Sequence, residues 1–352
     1  MALLPPPCTP PPGALARRSV LLGTAAWCVG AAGCSGGAKS PSDSSSPSAG
    51  SRSPGASAQA SGSPSDAERP RAALPKAISW RPGPGEIEPA AKLAAVRLVE
   101  ALGTWPDGQG SERAAAARAA ALGISTTPAA QLAAQAGSLR PTADAAVVRV
   151  IDAQYGGILT DTASVLVVCD QPTLLGSVVQ PGGTTVDVRL SRTSAGWKVT
   201  TLHPAAPGPA TALDAAAREV FAQSRIELPP ASAADIRSGA VHDSVLRAML
   251  QLAGGYRLSV SVVRSGHPLD VFGTDRPSDH PLGRAFDVWR IDGHAVVDPA
   301  TSRTLITAFM RAAAAAGSYN VGGPVQLSGG ATANQFFSDD THHDHVHVGF
   351  TS

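Results

Sequence analysis

Aromatic residues, cysteines and net charge are all scarce in this chain of 352 residues. Aromatic residues make up 4% of it, and the formal net charge is +1. Such a balanced charge gives no electrostatic reason to expect nucleic acid or an acidic polymer as a partner. Only four cysteines are present, three of them within the first 34 residues, so the chain is not a disulfide scaffold. The fourth, Cys169, stands in an apolar stretch and is expected to be a core residue.

The N-terminus has the form of an export signal. Arg17-Arg18 precede an apolar run, Ser19 to Gly33, that is too short to span a bilayer comfortably. Small residues before Cys34 resemble a bacterial lipobox, in which Cys34 would become the lipidated first residue, although Ala31 stands where leucine is usual. The alternatives are an ordinary cleaved signal and an uncleaved membrane anchor. We expect an exported protein, either held at the membrane facing the cell wall or secreted.

Composition divides the rest of the chain into a linker and two domains. Residues 35–80 are rich in Ser, Pro, Gly and Ala, cannot repay the entropy of ordering, and are expected to form a disordered tether. The 43% of apolar residues allows two hydrophobic cores. We place one domain at 81–208 and the other at 210–352, with the boundary in the Pro- and Ala-rich stretch 204–209.

In the middle region, 81–208, helical periodicity gives way to β-branched stretches. Helices are expected at Pro89–Leu102 and near 111–122 and 128–137. The strands that we then expect are Ala146–Tyr155, Ser164–Asp170, Thr184–Ser191 and Trp197–Leu202, with the first turn at Gly156-Gly157. This order indicates an α+β fold. The stretch from Val186 to Val199 resembles the last hairpin of nuclear-transport-factor-2-like domains, which implies a non-catalytic accessory with a curved sheet. We expect no catalytic group here.

The C-terminal region, 210–352, alternates helices and strands. The expected helices are one capped by Thr211 and ending near Ser224, then Asp243–Leu252 and 302–316. The expected strands are Tyr256–Val263, Gly283–Ile291 and His345–Phe350. Period-two alternation puts Asp287 on one face of its strand, between Phe286 and Val288, where a carboxylate is costly unless it is paired or bound to a metal.

Imidazoles and carboxylates are concentrated in two stretches of this region. Six residues separate His280 from Asp287, and Asp344, His345 and His347 follow near the C-terminus. Imidazole and carboxylate groups suit zinc, and three protein ligands would leave a fourth position for water. The alternatives are a nonspecific metal-binding tract at 342–347 and unrelated loop and strand residues.

The motifs Ser265-Gly266-His267-Pro268, Ser278-Asp279-His280 to Asp287, and Asp344-His345-Val346-His347 resemble the D-alanyl-D-alanine carboxypeptidase family of zinc peptidases, which share the fold of lysostaphin and hedgehog. The resemblance implies that His280, Asp287 and His347 bind Zn²⁺ and that Asp344 is the general base, where glutamate is more frequent. It implies that Arg264 is catalytic or binds substrate, and that Ser278 and His345 contact substrate or support a ligand. His342, His343, His267 and His294 are expected to be bystanders or structural residues.

These residues suit amide hydrolysis. Zinc lowers the pKa of a bound water toward roughly 7, Asp344 can shuttle its proton to the leaving amine, and zinc and Arg264 can share the developing negative charge. We therefore expect an exported zinc metallopeptidase that acts on peptidoglycan stem peptides. The alternative is a zinc-containing cell-wall binding or structural module with little turnover.

Overall fold

The computed structural model describes residues 72–352, in which helices and sheets are mixed, so the fold is α+β. The predicted export signal, Cys34 and most of the predicted linker lie outside the described residues, and the linker's last part, residues 72–80, has no helix or strand. All described residues belong to one compact unit. Within residues 72–352, none of the helices combines the length and apolar character needed to cross a membrane.

The middle region begins with helices and ends in antiparallel sheets. Its elements are α1 (Pro89–Gly103), α2 (Glu112–Ala120), α3 (Thr126–Ala134), β1 (Ala145–Ala146), β2 (Arg149–Ile158), β3 (Thr162–Asp170), β4 (Thr173–Leu175), β5 (Val178–Gln180), β6 (Gly183–Thr193) and β7 (Gly196–Pro204). Strands β2, β3, β6 and β7 form one sheet in that order, and β1, β4 and β5 form a small second sheet. The predicted order of helices followed by an antiparallel sheet is observed. Cys169 is fully buried in β3, as predicted, and burial raises the pKa of its thiol to about 12.

Helix α1 begins with Pro89, whose fixed φ suits the first turn of a helix. Its buried stripe contains Ala95, Val96 and Val99, which pack into the core of the middle region. Lys92 lies on the same stripe, three, four and seven residues before them, and its side chain is fully buried. A lysine in this position requires buried acceptors, which are Glu86, just before the helix, and Asp344, near the other end of the chain.

The predicted turn at Gly156-Gly157 is wrong, because both glycines lie inside β2. A Cβ on Gly157 would lie 2.1 Å from the Cβ of Phe272, and one on Gly156 would lie 3.0 Å from the Cδ of Pro268. These positions are glycine because the strand lies directly against a loop of the C-terminal region. β2 is therefore a contact strand between the two regions.

The C-terminal region carries a second, mixed sheet. Its elements are α4 (Ala215–Ala222), β8 (Ile226–Glu227), α5 (Pro230–Arg237), α6 (Asp243–Ala253), β9 (Leu258–Val260), β10 (Ala285–Ile291), β11 (His294–Ala295), α7 (Arg303–Ala315), β12 (Asn320–Gly322), β13 (Phe336–Phe337) and β14 (Val346–Gly349). The strand order is β13-β12-β14-β10-β9-β8, with β11 paired to β10. The pairs β12–β13 and β8–β9 are parallel and the others antiparallel.

Three details of this region differ from the sequence prediction. The cap of α4 is Asp214, whose Oδ1 accepts a hydrogen bond from the Ala217 amide at 2.7 Å, whereas Thr211 bonds to the Arg237 carbonyl. The predicted strand Tyr256–Val263 is shortened to β9. Helix α5 was not predicted, because its polar composition resembles a turn, but Pro230 stands at its first position.

The two faces of the C-terminal sheet have opposite chemistry. Phe286, Val288 and Val346 lie in a hydrophobic cluster with residues of α6 and α7. Asp287 and His347 alternate with them and therefore lie on the other face. That second face meets the middle region, where Val262 packs with Leu166 and Val168 of β3. The polar face is thus covered by the other region of the chain.

Candidate metal centre and its surroundings

Strand register brings three predicted ligands together. Asp287 of β10 lies directly opposite His347 of β14, and His280 precedes β10 by one short turn. The His280 Nε2, Asp287 Oδ1 and His347 Nδ1 atoms are separated pairwise by 3.1, 3.0 and 3.1 Å. Their residues are 1%, 0% and 8% exposed, respectively. We call these three residues the donor triad.

The donor triad fits a small divalent cation. Atoms bound tetrahedrally at about 2.0–2.2 Å from one zinc ion lie about 3.3–3.6 Å apart, a few tenths of an ångström more than observed here. The other ring nitrogen of His280, Nδ1, is 2.9 Å from the Val263 carbonyl oxygen, so this nitrogen carries the proton and leaves Nε2 free as a ligand. Two imidazoles and one carboxylate are a donor set typical of zinc.

The charge states of the triad also suit a cation. Burial lowers the pKa of His347 to about 4, against the opposing effect of Asp287, so its ring is neutral at pH 7. Burial disfavours ionisation of Asp287, but His280 and His345 outweigh this effect and hold its pKa well below the usual range. A neutral imidazole and an ionised carboxylate are the forms that bind metal.

Asp344 and His345 form a hydrogen-bonded pair beside the triad. The Asp344 Oδ1 atom accepts a hydrogen bond from His345 Nδ1 at 2.6 Å, and His345 Nε2 is 3.8 Å from Asp287 Oδ2. Burial lowers the pKa of His345, but the Asp287 and Asp344 carboxylates outweigh it and raise this pKa to about 9. Asp344 therefore orients His345, and His345 is the member of the pair that faces the triad.

The other oxygen of Asp344 is held by the middle region. Asp344 Oδ2 accepts a hydrogen bond from the Tyr155 amide at 3.0 Å and lies 2.7 Å from Lys92 Nζ. Lys92 also forms an ion pair with Glu86. Burial lowers the pKa of Lys92, but Asp344 and Glu86 outweigh it, and the net shift is upward. Both oxygens of the predicted base are thus engaged, and the residue is 3% exposed.

The sequence interpretation placed no site residue in the middle region, and the structure corrects this. Lys92 and Tyr155 contact Asp344, and Gln154 donates a hydrogen bond to Asp287 at 2.6 Å. One sequence signal could have revealed them. Lys92 and Gln154 are polar residues on stretches whose periodicity predicts burial, the same argument that singled out Asp287.

His267 was expected to be structural or on the surface, but it lies against the donor triad. Its ring stacks on that of His280, with centroids 4.1 Å apart and an interplanar angle of 20°. His267, His280 and Asp287 form one of the groups whose donor atoms are close enough to hold a metal ion. Burial lowers the pKa of His267 well below its usual value. Ser278 is buried, and its Oγ is 3.4 Å from His267 Nδ1.

Arg264 lies outside the triad, in a cavity between the two regions. The cavity has a volume of about 860 Å³, and its walls include Arg264 and His267 on one side and Arg189 and His203 on the other. The Arg264 guanidinium is half-buried and lies 3.8 Å from Asp235. The structure therefore places Arg264 where it could bind a ligand group in this cavity.

The two predicted bystanders of the C-terminal tract lie near the site without joining the triad. The His342 ring centroid is 5.7 Å from that of His347, and His342 Nδ1 bonds to Asp339. His343 accepts a hydrogen bond from the Ile87 amide. Glu86, His343 and Asp344 form a second group that could hold a metal ion, but the Lys92 ammonium bonds to both carboxylates.

Comparisons with known proteins do not identify a family. No protein-family model matches the chain, and neither does any curated protein. One similar solved structure is a nuclear-transport-factor-2-like protein with a cystatin-like fold from Novosphingobium aromaticivorans. The identity is 19%, the match covers 26% of this chain and 51% of that chain, and the TM-score is 0.17. The match thus spans about half the length of that protein.

Proposed function

We propose that the chain is an exported zinc metallopeptidase that hydrolyses peptide bonds in peptidoglycan stem peptides, of the D-alanyl-D-alanine carboxypeptidase type. The observation that carries this proposal is the donor triad of His280, Asp287 and His347 with the Asp344–His345 pair beside it. In this proposal residues 210–352 form the zinc domain, and residues 81–208 form an accessory domain of the nuclear-transport-factor-2-like type.

The roles of the residues follow from their positions. The three triad side chains hold the zinc ion, which when bound supplies a Lewis acid and lowers the pKa of a water. Asp344 is the proposed base and acts through His345, the group that reaches the reacting atoms. Because its pKa is raised to about 9, His345 is protonated at pH 7, gives a proton to the amine that leaves as the peptide bond breaks, and recovers a proton from the water. Arg264 binds a substrate carbonyl or carboxylate in the cavity, and Ser278 supports His267.

A second candidate is a zinc-containing cell-wall binding or structural module with little or no turnover. Two observations favour it. Both oxygens of Asp344 are already engaged, and the most exposed triad residue, His347, is only 8% exposed. Substrate could reach such a site only if the two regions move apart or if the cavity lined by Arg264 leads to it.

The test is incubation of zinc-loaded full-length protein with purified wall peptides, with the products identified by mass. We expect release of terminal D-alanine, loss of this activity after chelation, and recovery when zinc is restored. Cleavage of a bond inside the stem peptide would show that the protein is an endopeptidase and not a carboxypeptidase. If the substrate stays intact although zinc is bound, the peptidase proposal is contradicted and the binding or structural module is supported.

The localisation proposal makes a separate prediction for Cys34, which lies outside the described residues. If Cys34 is lipidated, Cys34→Ala should release the protein from the membrane fraction, because one acyl-modified residue is then lost. Cys28→Ala is the matched control, since Cys28 lies within the apolar run and should have no effect. The measurement is cell fractionation followed by quantification of both variants. Equal membrane retention of Cys34→Ala and its parent would rule out the lipobox.

A further inference from the structure

Gln154 is a fully buried amide in the middle region that contacts a member of the donor triad. Its Nε2 donates a hydrogen bond to Asp287 Oδ2 at 2.6 Å, while the other oxygen, Asp287 Oδ1, faces the two triad imidazoles. We propose that Gln154 is a positioning residue that makes Asp287 a one-oxygen metal ligand, so that the middle region contributes directly to metal affinity. This inference rests on the metal site of the proposed function but not on peptidase turnover.

The hydrogen-bond network determines which way the Gln154 amide points. Its Oε1 accepts a hydrogen bond from the Ser261 hydroxyl. The reverse orientation would place Oε1 against the Asp287 carboxylate, where neither atom can donate, in a site from which water is excluded. With Nε2 toward Asp287, both ends of the amide are satisfied. The orientation is therefore imposed by Ser261 and Asp287 together.

The geometry of β2 delivers this side chain to the site. Relative to β3, the register of β2 shifts between Val150 and Asp152 and again between Tyr155 and Gly157, so Gln154 lies between two irregularities. Such bulges redirect side chains and are frequent beside functional sites. Because Gly156 and Gly157 have no Cβ, the strand also comes close enough for the amide to reach Asp287.

Occupation of Oδ2 has a defined consequence for the metal. A carboxylate whose second oxygen is free can bind through both oxygens, whereas a donor on that oxygen limits it to one and fixes its direction. His280 is oriented in the same way by the Val263 carbonyl. The difference is that the partner of His280 comes from its own region, whereas the partner of Asp287 comes from across the contact between the two regions.

The test is the zinc dissociation constant of the full-length Gln154→Leu variant, measured by competition with a chelating dye. Removing a hydrogen-bond partner of a metal ligand typically weakens binding by about 10- to 100-fold, and we expect a change in this range. The matched control is Gln171→Leu. Gln171 is also buried in the middle region, but its amide donates to the Gly103 and Leu139 carbonyls of that same region and not to a triad residue. Gln171→Leu should leave zinc affinity unchanged.

Two further measurements separate positioning from a general loss of structure. Ser261→Ala keeps Gln154 but frees its amide, and it should weaken zinc binding less than Gln154→Leu does. With Co²⁺ in place of zinc, the visible absorption of Gln154→Leu should weaken relative to the parent, because a two-oxygen Asp287 raises the coordination number. The thermal unfolding temperature of each variant is also measured. A change in zinc affinity can then be compared with the loss of stability, for Gln154→Leu and for Gln171→Leu.

The outcomes distinguish this inference from the proposed function. Equal zinc affinity in Gln154→Leu and the parent would overturn the inference and leave the peptidase standing. An equal loss of affinity in Gln154→Leu and Gln171→Leu would also overturn it, because the effect would then be structural. If zinc binding is weaker in Gln154→Leu but not in Gln171→Leu, the inference is supported. If the parent at the same time cleaves no wall peptide, the proposed peptidase function is contradicted while the inference still holds.

Discussion

Replacement of Lys92 by methionine is expected to destabilise the protein by about 3–5 kcal/mol, the usual cost of removing one partner of a buried ion pair. The Lys92 side chain is fully buried and lies between the carboxylates of Asp344 and Glu86. Methionine fills a similar volume but leaves both negative charges without a cation. Because native domains are stable by only about 5–15 kcal/mol, this loss would be a large fraction of the total.

The free energy of unfolding in urea, measured for the parent and for Lys92→Met, checks this prediction. Arg247→Met is the matched control, because Arg247 pairs with Asp243 at 3.0 Å on the surface, with both side chains more than half exposed. Exposed pairs contribute about 0–1 kcal/mol, so the control should remain close to the parent. Addition of Asp344→Leu to Lys92→Met should recover part of the loss, because it removes one of the uncompensated charges. An effect of Lys92→Met no larger than that of Arg247→Met would show that the buried pair contributes nothing.

The position of Lys92 also shows where prediction from the sequence stops. Its periodicity within α1 was visible, because Ala95, Val96 and Val99 mark the buried stripe. Its partner Asp344 is more than 250 positions away, and no local pattern connects the two. A buried lysine can be recognised from the sequence, but the identity of its acceptor depends on how two regions pack.

The donor triad was predictable for the opposite reason. Asp287 and His347 lie on strands whose period of two is readable, and a carboxylate between Phe286 and Val288 needs a partner. The structure pairs these two residues directly across β10 and β14. His280 could be added because it precedes β10 by a few residues. These relations single out the residues as candidates, but the choice of His280, Asp287 and His347 as one ligand set was what the resemblance to the zinc carboxypeptidases implied.

Contacts across the two regions could not be predicted in this way. Gly156 and Gly157 have the composition of a turn, and only the close approach of Phe272 explains why a strand continues through them. Gln154 likewise has no sequence neighbour that points to Asp287. These contacts cover the polar face of the sheet. The middle region therefore supplies side chains that contact the candidate metal site, whereas the sequence predicted an accessory domain without site residues.

Asp344→Asn and His345→Ala are each expected to lower kcat by about 10²- to 10⁴-fold, the usual contribution of acid–base catalysis. Zinc should stay bound, because neither residue belongs to the donor triad, whereas His347→Ala should lose both zinc and activity. The two side chains share a 2.6 Å hydrogen bond and act in sequence on one proton. The double variant should therefore be about as slow as the slower single variant, with the two effects far from additive.

Initial rates on wall peptides, with bound zinc and unfolding free energy measured in parallel, test this coupling. His294→Ala is the control, because His294 is exposed on β11 and should leave kcat unchanged. Parallel unfolding data are needed because Asp344→Asn also removes one partner of Lys92, although Glu86 remains. Strictly additive losses would show that Asp344 and His345 act separately. A zinc-bound Asp344→Asn variant that cleaves as fast as its parent would show that the carboxylate takes no part in proton transfer. The Lys92–Asp344 contact would then stabilise the packing of the two regions and have no role in catalysis.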